Sequence, residues 1–487
     1  MLRPWQISLS ERIDPAGNVP IYMQIIQALI RDIERQRLVS GTYLPSSRQL
    51  AALLGVNRKT VVLAYEDLIA QGWLTSAGTR GTMVSASLPT PAPKAAEPAA
   101  VAPGVDPAIH YSYARPPEHP LALPEGPGLK LDEGAPDGRL FPAELLSRAY
   151  RAAAHRASRT NGFQYRDPRG SPLLRESIAA MLRSQRGLTV AAANICITRG
   201  SQNGIFVAGQ ILLRPGDTVI VEELTYEPAV AAFRALGAKI VPVPLDGDGI
   251  DVAAVEQVCR RQPIRALFVT PHHQFPTTVS LRPERRLKLL DLARQYGFAI
   301  IEDDYDHEFH FQSQPLLPMA AYAPGQVLYV GSLSKLLLPA LRIGYVAAPE
   351  PVIDALAHAV SLTDGMGNSL TEDVASELIE SGELRRHARK VWRIYAQRRT
   401  AFAAEMDRSL AGIADYRLPD GGLAFWLRFR GDLTALEARA AAMGLRFARS
   451  RSFMASQDAP RGLRIGFASL TEEEGRTAIA ALASAAH

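Results

Sequence analysis

Val327-Leu-Tyr-Val-Gly-Ser-Leu-Ser-Lys335, continued by Leu-Leu-Leu-Pro-Ala-Leu-Arg342, is the stretch on which the reading of this chain turns. An apolar run of strand composition stops at a glycine. Two serines and a lysine follow, with an arginine seven residues further on. A lysine amine at a strand end beside a guanidinium is suited to condense with an aldehyde cofactor. Ser332, Ser334 and Arg342 add two hydroxyls and a planar cation, a set that suits one phosphate. Short Ser/Lys turns are common, so the stretch needs its neighbours to decide anything.

Working outward, near-continuous apolar runs are expected as strands at Ile195–Thr198, Val219–Val221, Ile240–Val243, Ala266–Thr270, Ala299–Ile301, Val327–Val330 and Tyr345–Ala347. Helical stretches separate them, which predicts a mostly parallel sheet covered on both faces. Ligands in such sheets sit beyond the carboxyl ends of the strands. There the sequence places Gly200-Ser201-Gln202, Tyr226 and Glu302-Asp303-Asp304-Tyr305. Backbone amides at a helix start hold phosphate. A carboxylate can pair with a pyridinium nitrogen, a charge-assisted bond of about 1.5–3 kcal/mol. A tyrosine hydroxyl can meet a phenolic oxygen, and the Tyr226 ring can stack on a pyridine face. Tyr226 by itself reads as core packing; the order of four strand-end signals carries the cofactor reading. Asp303, Asp304, Asp306, His307, Glu308 and His310, with His272-His273 upstream, are rich in metal-ligand types. No matched spacing among them closes a shell, so no metal is expected.

Bulk properties set the bounds. The 487 residues, 47% hydrophobic and 21% charged, fit a globular protein of about three domain-sized units. No run approaches about 18 apolar residues, and the first residues lack the layout of a secretory signal. Cys196 and Cys259 form no disulfide framework, and the expected address is cytoplasmic. Residues 86–108 hold six prolines and eight alanines. Such a segment cannot bury enough surface to fold, so the chain is divided into 1–85, a linker at 86–110, and a body at 111–487.

Residues 1–85 carry nine Lys/Arg against six Asp/Glu, most of the net charge of +5. Ile21, Ile25, Leu29 and Ile33 make one apolar stripe on a helix after Pro20. Ser46-Ser47 starts a second helix, Gly55-Val56 makes the turn, and Asn57 caps a third. Trp73–Ser76 and Thr82–Ser85 flank a glycine-containing tip. Three helices and a two-stranded wing form a winged helix-turn-helix, whose second motif helix enters the major groove of double-stranded DNA. Arg58 suits a two-pronged grip on guanine; Ser47, Lys59 and Thr60 suit phosphates, and Arg48 suits either. Arg80 and Gly81 at the wing tip suit the minor groove or backbone.

Leu44-Pro-Ser-Ser-Arg-Gln-Leu-Ala, Leu54-Gly-Val-Asn-Arg-Lys-Thr-Val, Ala64-Tyr-Glu-Asp-Leu and Gly72-Trp-Leu resemble the GntR family of winged-helix regulators. One departure is Gln36-Arg37-Leu38, where a glycine usually follows the first helix. The body resembles a fold-type-I, pyridoxal-phosphate-dependent aminotransferase, with a smaller C-terminal α/β subdomain implied. The carrying stretches are Gly134-Ala-Pro-Asp, Tyr165-Arg-Asp-Pro-Arg-Gly, Thr270-Pro-His-His-Gln-Phe-Pro, Ile301-Glu-Asp-Asp-Tyr-Asp and Leu341-Arg-Ile-Gly-Tyr. The whole chain resembles the MocR/GabR subfamily of GntR regulators.

The resemblance implies that Lys335 carries the cofactor as an internal aldimine and that Asp303 partners the ring nitrogen. It puts Tyr305 at the phenolic oxygen and Tyr226 at the ring face. Ser201, Gln202, Ser332, Ser334 and Arg342 form the phosphate cup, which Tyr165 of the other subunit completes. Arg464 clamps an effector carboxylate. A homodimer with exchanged DNA modules and a small amino-compound effector are implied as well. Phe275 stands where aminotransferases keep an asparagine, Thr278 and Ala340 where glycines are usual, and Pro228 where the GABA-responsive relative has an effector-binding arginine. Ala424 replaces a bulkier pocket residue. These departures favour a ligand sensor; an active aminotransferase, or a sensor of the cofactor itself, are the alternatives.

Overall fold

Residue 9 and residues 12–89, 127–312 and 316–487 are described by the computed structural model. The chain separates into two compact units, residues 1–116 and 117–487. The proposed linker lies outside the described residues from 90 onward, as does the proposed start of the body at 111.

In the first unit, α1 (Ile21–Glu34) buries Ile25, Leu29 and Ile33 of the expected stripe, with Ile21 half-buried, and buries Ile26 beside them. α2 (Ser47–Leu54) begins at Ser46, whose hydroxyl accepts from the Gln49 amide while the Gln49 side chain returns the bond, a reciprocal cap. Gly55, at φ +64°, ends it in the left-handed turn that glycine favours. α3 (Arg58–Ala70) starts at Asn57, which caps the Lys59 amide. β1 (Leu74–Ser76) and β2 (Thr82–Val84) pair antiparallel as the wing. Gln36 takes φ +56° after α1, so the left-handed turn is kept without its customary glycine.

The second unit is built on a seven-stranded sheet. Its strands are β3 (Ile195–Thr198), β4 (Thr218–Glu222), β5 (Lys239–Val243), β6 (Ala266–Val269), β7 (Ala299–Asp304), β8 (Val327–Ser332) and β9 (Gly344–Ala347). The spatial order is β3-β9-β8-β7-β6-β4-β5, and only β9 runs against the other six. Successive residues sort into two cores, as alternating strand side chains must. Ile300, Leu267 and Tyr329 join one, while Ile301, Phe268 and Val330 join the other. The second core is covered by α4 (Gly200–Leu212), through Ile205, Val207 and Ala208. A smaller antiparallel sheet of β10 (Ala414–Tyr416), β11 (Ala424–Phe429) and β12 (Leu463–Gly466) lies toward the C-terminus. Among the described residues no helix is long and apolar enough to cross a membrane.

The start of α4 presses directly on β9. A Cβ built at Gly344 would stand 2.4 Å from the carbonyl carbon of Gly200 and 2.7 Å from the Ser201 amide nitrogen, both backbone atoms that cannot swing aside. Gly344→Ala is therefore expected to destabilise the chain by about 1–3 kcal/mol in denaturant unfolding. Gly325→Ala, where nothing lies within 4 Å, should stay within about 0.5 kcal/mol of the parent.

Candidate functional site

The strand β7 ends in three consecutive carboxylic residues, Glu302, Asp303 and Asp304, and the pleat sends them to different places. Glu302 and Asp304 share the face of Ile300. The Glu302 carboxylate accepts the amides of Met319 and Ala320 at 2.8 and 2.9 Å. Asp304 meets Arg186 at 2.6 Å and accepts the Tyr329 hydroxyl at 2.7 Å, all in the interior. Burial, the largest single influence, would raise the Asp304 pKa, but Arg186, His307, His272 and the Tyr329 hydroxyl together outweigh it and hold the carboxyl well below the usual range. Asp303 points to the opposite face, under the first turn of α4.

There it lines a cavity of about 450 Å³ together with Glu133, Ser201, Gln202, Tyr226, Pro228, Phe275, Tyr305, Ser332, Ser334, Lys335 and Arg342. Nine residues expected from sequence thus meet around one space. Asp303 is 4% exposed, and its Oδ1 has no hydrogen-bond partner among the described residues. Burial first, then the like charges of Asp304 and Asp306, push its pKa up to about 8, against the opposing pull of Lys335. The Lys335 amine donates to the Gly134 carbonyl at 2.5 Å, and burial lowers its pKa. Gly200 opens α4 at φ +77°, and the Arg342 guanidinium, on a residue at φ +51°, donates to the Arg199 carbonyl at 3.0 Å. Ser332 Oγ accepts the Ser334 amide, and Ser334 Oγ is buried without a partner. Gln202 donates to the Pro228 carbonyl at 2.7 Å.

The donor set fits pyridoxal phosphate. A helix N-terminus, three hydroxyls and a guanidinium converge as a phosphate site requires, and the orphaned Asp303 oxygen suits a protonated ring nitrogen. Phe275 occupies one wall, edge-on to Tyr226 at 5.3 Å and to Tyr305 at 6.2 Å between ring centres. It offers a ring oxygen no hydrogen bond.

Two expected residues do not line the cavity. Tyr165 is 93% exposed. Arg464, on β12, lies behind Phe275 with its guanidinium carbon 4.6 Å from the ring centre. It donates to the carbonyls of Glu133 (2.8 Å) and Pro276 (2.7 Å) and to the Tyr305 hydroxyl (3.3 Å). The sequence reading assigned no role to Glu133 or to the Gly134 carbonyl, although Gly134 opens one of the quoted family stretches. Glu133 has a buried, unpartnered oxygen, and burial raises its pKa. Thr278, where a glycine is usual, takes φ +63°.

In the winged unit, Arg48, Arg58, Lys59, Arg80 and Gly81 are exposed, and Ser47 and Thr60 are half-buried. Arg58 Nε donates to Ser47 Oγ at 3.4 Å, and the Tyr65 hydroxyl ties α3 to the Pro45 carbonyl at 2.8 Å, ahead of α2. Gly81, at φ +104°, gives the wing tip a turn that a side chain would strain.

A winged helix and a fold-type-I aminotransferase-like body with a pyridoxal phosphate site define the class of protein. Residues 127–482 match the family described as aminotransferase class I and II, and residues 21–84 match bacterial regulatory proteins of the gntR family. The chain is 32% identical over 477 residues to the probable rhizopine catabolism regulatory protein MocR of Rhizobium meliloti, covering 97% of this chain and 95% of that protein. It is 29% identical over 478 residues to the pyridoxine biosynthesis transcriptional regulator PdxR of Corynebacterium glutamicum, covering 97% of each. Among solved structures, the α-aminoadipate aminotransferase LysN of Thermus thermophilus, complexed with N-(5'-phosphopyridoxyl)-L-leucine, superposes with a TM-score of 0.68 at 28% identity. That match covers 74% of this chain and 92% of LysN. The chain belongs to the MocR/GabR subfamily of GntR transcription regulators, in which a DNA-binding winged helix is joined to a pyridoxal-phosphate aminotransferase-like domain.

The raised pKa of Asp303 makes the cofactor-free chain sensitive to pH. Folded and unfolded forms both hold the proton below the usual carboxyl range near 3.8. As pH rises toward about 8 the unfolded chain releases it first, so stability falls across that window. Asp303→Asn should therefore stabilise the cofactor-free chain by about 1–3 kcal/mol at pH 8, with the gain vanishing near pH 4. The same change should weaken pyridoxal phosphate binding by about 10- to 100-fold. Unfolding curves at the two pH values, with a cofactor titration, check both.

Proposed function

We propose that this regulator works in the cytoplasm as a homodimer on operator DNA and responds to an amino compound captured at Lys335. The observation that carries the reading is the asymmetry of the cavity. Nine groups suited to hold pyridoxal phosphate line it, whereas Phe275 and Pro228 leave little to drive turnover or to select a common amino acid. When bound, the cofactor supplies an aldehyde that takes up amines.

Around it, Ser201, Gln202, Ser332, Ser334 and Arg342 hold the phosphate, Asp303 stands against the ring nitrogen, and Tyr305 and Tyr226 bound the ring. Lys335 keeps its amine available because burial favours the neutral form. Glu133, beside it, is placed to accept a proton from an incoming ammonium group. Tyr165, almost wholly exposed, completes the phosphate site of the second subunit, and Arg464 is the candidate partner for an effector carboxylate. The 25 residues from 86 to 110 are long enough for the two DNA modules to be exchanged between subunits. Effector binding shifts the balance between two arrangements of the body, and the DNA modules follow.

Two observations support other readings. The 97% span shared with a relative named for pyridoxine biosynthesis favours the cofactor itself as the signal. The likeness to an aminotransferase, with Lys335 and Asp303 both in the cavity, favours catalysis.

A cofactor absorbance titration of the purified chain with a panel of amino compounds separates these. At least one compound is expected to move the band and change operator affinity, and Lys335→Ala should abolish the response. A band that no amine moves would favour the cofactor as signal, and sustained product from amino donors and keto-acid acceptors would overturn the regulator-only reading. On the DNA side, Arg58→Ala should cost about 1–3 kcal/mol and relax the preference at one base. Lys59→Ala should weaken all sequences alike and reduce the salt slope by about 1.

A further inference from the structure

Beside the cofactor cavity, the turns after β6 and β7 bring the adjacent His272 and His273 together with His310, 37 residues further on. Nitrogens of His272, His273 and His310 all lie within 4.8 Å of one another. His272 and His273 are 3% and 1% exposed, and His310 is half-buried. We infer that His272, His273 and His310 form a binding site for one divalent transition-metal ion of the zinc class.

Four observations carry this. First, His273 Nε2 and His310 Nδ1 share a hydrogen bond at 3.3 Å in the empty chain. Two nitrogens held at 2.0–2.1 Å on a tetrahedral ion are separated by about 3.3 Å, so this pair already stands at ligand spacing. Second, His273 Nδ1 is 2.7 Å from Asp306 Oδ1. A carboxylate on the far nitrogen fixes the tautomer and aims the other nitrogen, as it does for metal-bound histidines generally. Third, among the described residues neither ring nitrogen of His272 has a hydrogen-bond partner, although the ring is buried. Every neutral imidazole carries a lone pair and an N–H, and leaving both unmet in the interior is costly. A metal ion meets the first of these needs. Fourth, Gly421 leaves the space open: a Cβ there would stand 2.3 Å from His273 Nε2.

Three imidazoles select borderline ions over magnesium or calcium, and three protein ligands leave a fourth position for water. The linear spacing of these residues gave no closed shell; the parallel register of β6 and β7 supplies it. Occupancy would brace the turns that carry the cavity, since the His273 carbonyl also accepts the Tyr305 hydroxyl at 2.9 Å.

The test uses the full, tag-free chain with its cofactor, stripped by chelator and dialysed. Cobalt(II) titration followed by visible absorbance, and zinc content by elemental analysis, should each give one equivalent per chain with a tetrahedral cobalt spectrum. His272→Ala and His310→Gln should remove that equivalent, and Asp306→Asn should weaken it by about 10- to 100-fold. Thermal unfolding of the metal-stripped chain and the cofactor band, both unchanged in His310→Gln, exclude misfolding as the cause. No stoichiometric uptake by the parent, or equal uptake by His272→Ala and His310→Gln, would overturn the assignment.

Discussion

The Asp304 carboxylate meets the Arg186 guanidinium at 2.6 Å where both side chains are almost fully buried, and this contact fixes how the central strand β7 ends. A buried pair of this kind contributes little to net stability, yet losing one member leaves a charge stranded and is costly. It works here as a register pin. With Asp304 held on one face, and Glu302 held there by two amides, the pleat leaves Asp303 only the opposite face. Tyr305 then follows at the cavity rim and Asp306 reaches His273. One strand end thereby orders the cofactor cavity and the histidine cluster together.

The cavity is a place where binding and stability are opposed. Asp303 and Ser334 each bury an oxygen without a partner among the described residues, and Lys335 is held where its charged form is disfavoured. Groups like these lower the stability of the empty chain, and a bound cofactor reverses their effect by mass action. The wall is uneven. The phosphate end is dense with donors, while Phe275 turns an aromatic face to the region where a hydrogen-bonding group would steer catalysis.

Much of this was legible from residues alone. All seven strands of the main sheet were expected, because near-continuous apolar runs of three to five residues between helices have few other readings. Lys335, Asp303 and Arg342 stood out because strand ends are where polar residues in such sheets collect. Three missing glycines were visible as well, and two of the positions take a left-handed backbone, with Gln36 at φ +56° and Thr278 at φ +63°, whereas Ala340 does not. Harder to foresee were contacts that depend on three-dimensional closure. His272 and His310 lie in different turns, and no spacing rule joins them. Nor does sequence reveal that the Gly134 carbonyl receives the Lys335 amine, since a main-chain acceptor has no side-chain signature.

Arg464 behaves as a rivet. Its guanidinium on β12 fastens the Glu133 carbonyl, the Pro276 carbonyl and the Tyr305 hydroxyl, so four distant parts of the chain share one side chain. An anion that claims those N–H groups must unfasten the segments they hold. Docking and loosening then draw on one free energy: whatever the anion spends in unfastening is subtracted from its affinity and appears as displacement of the chain.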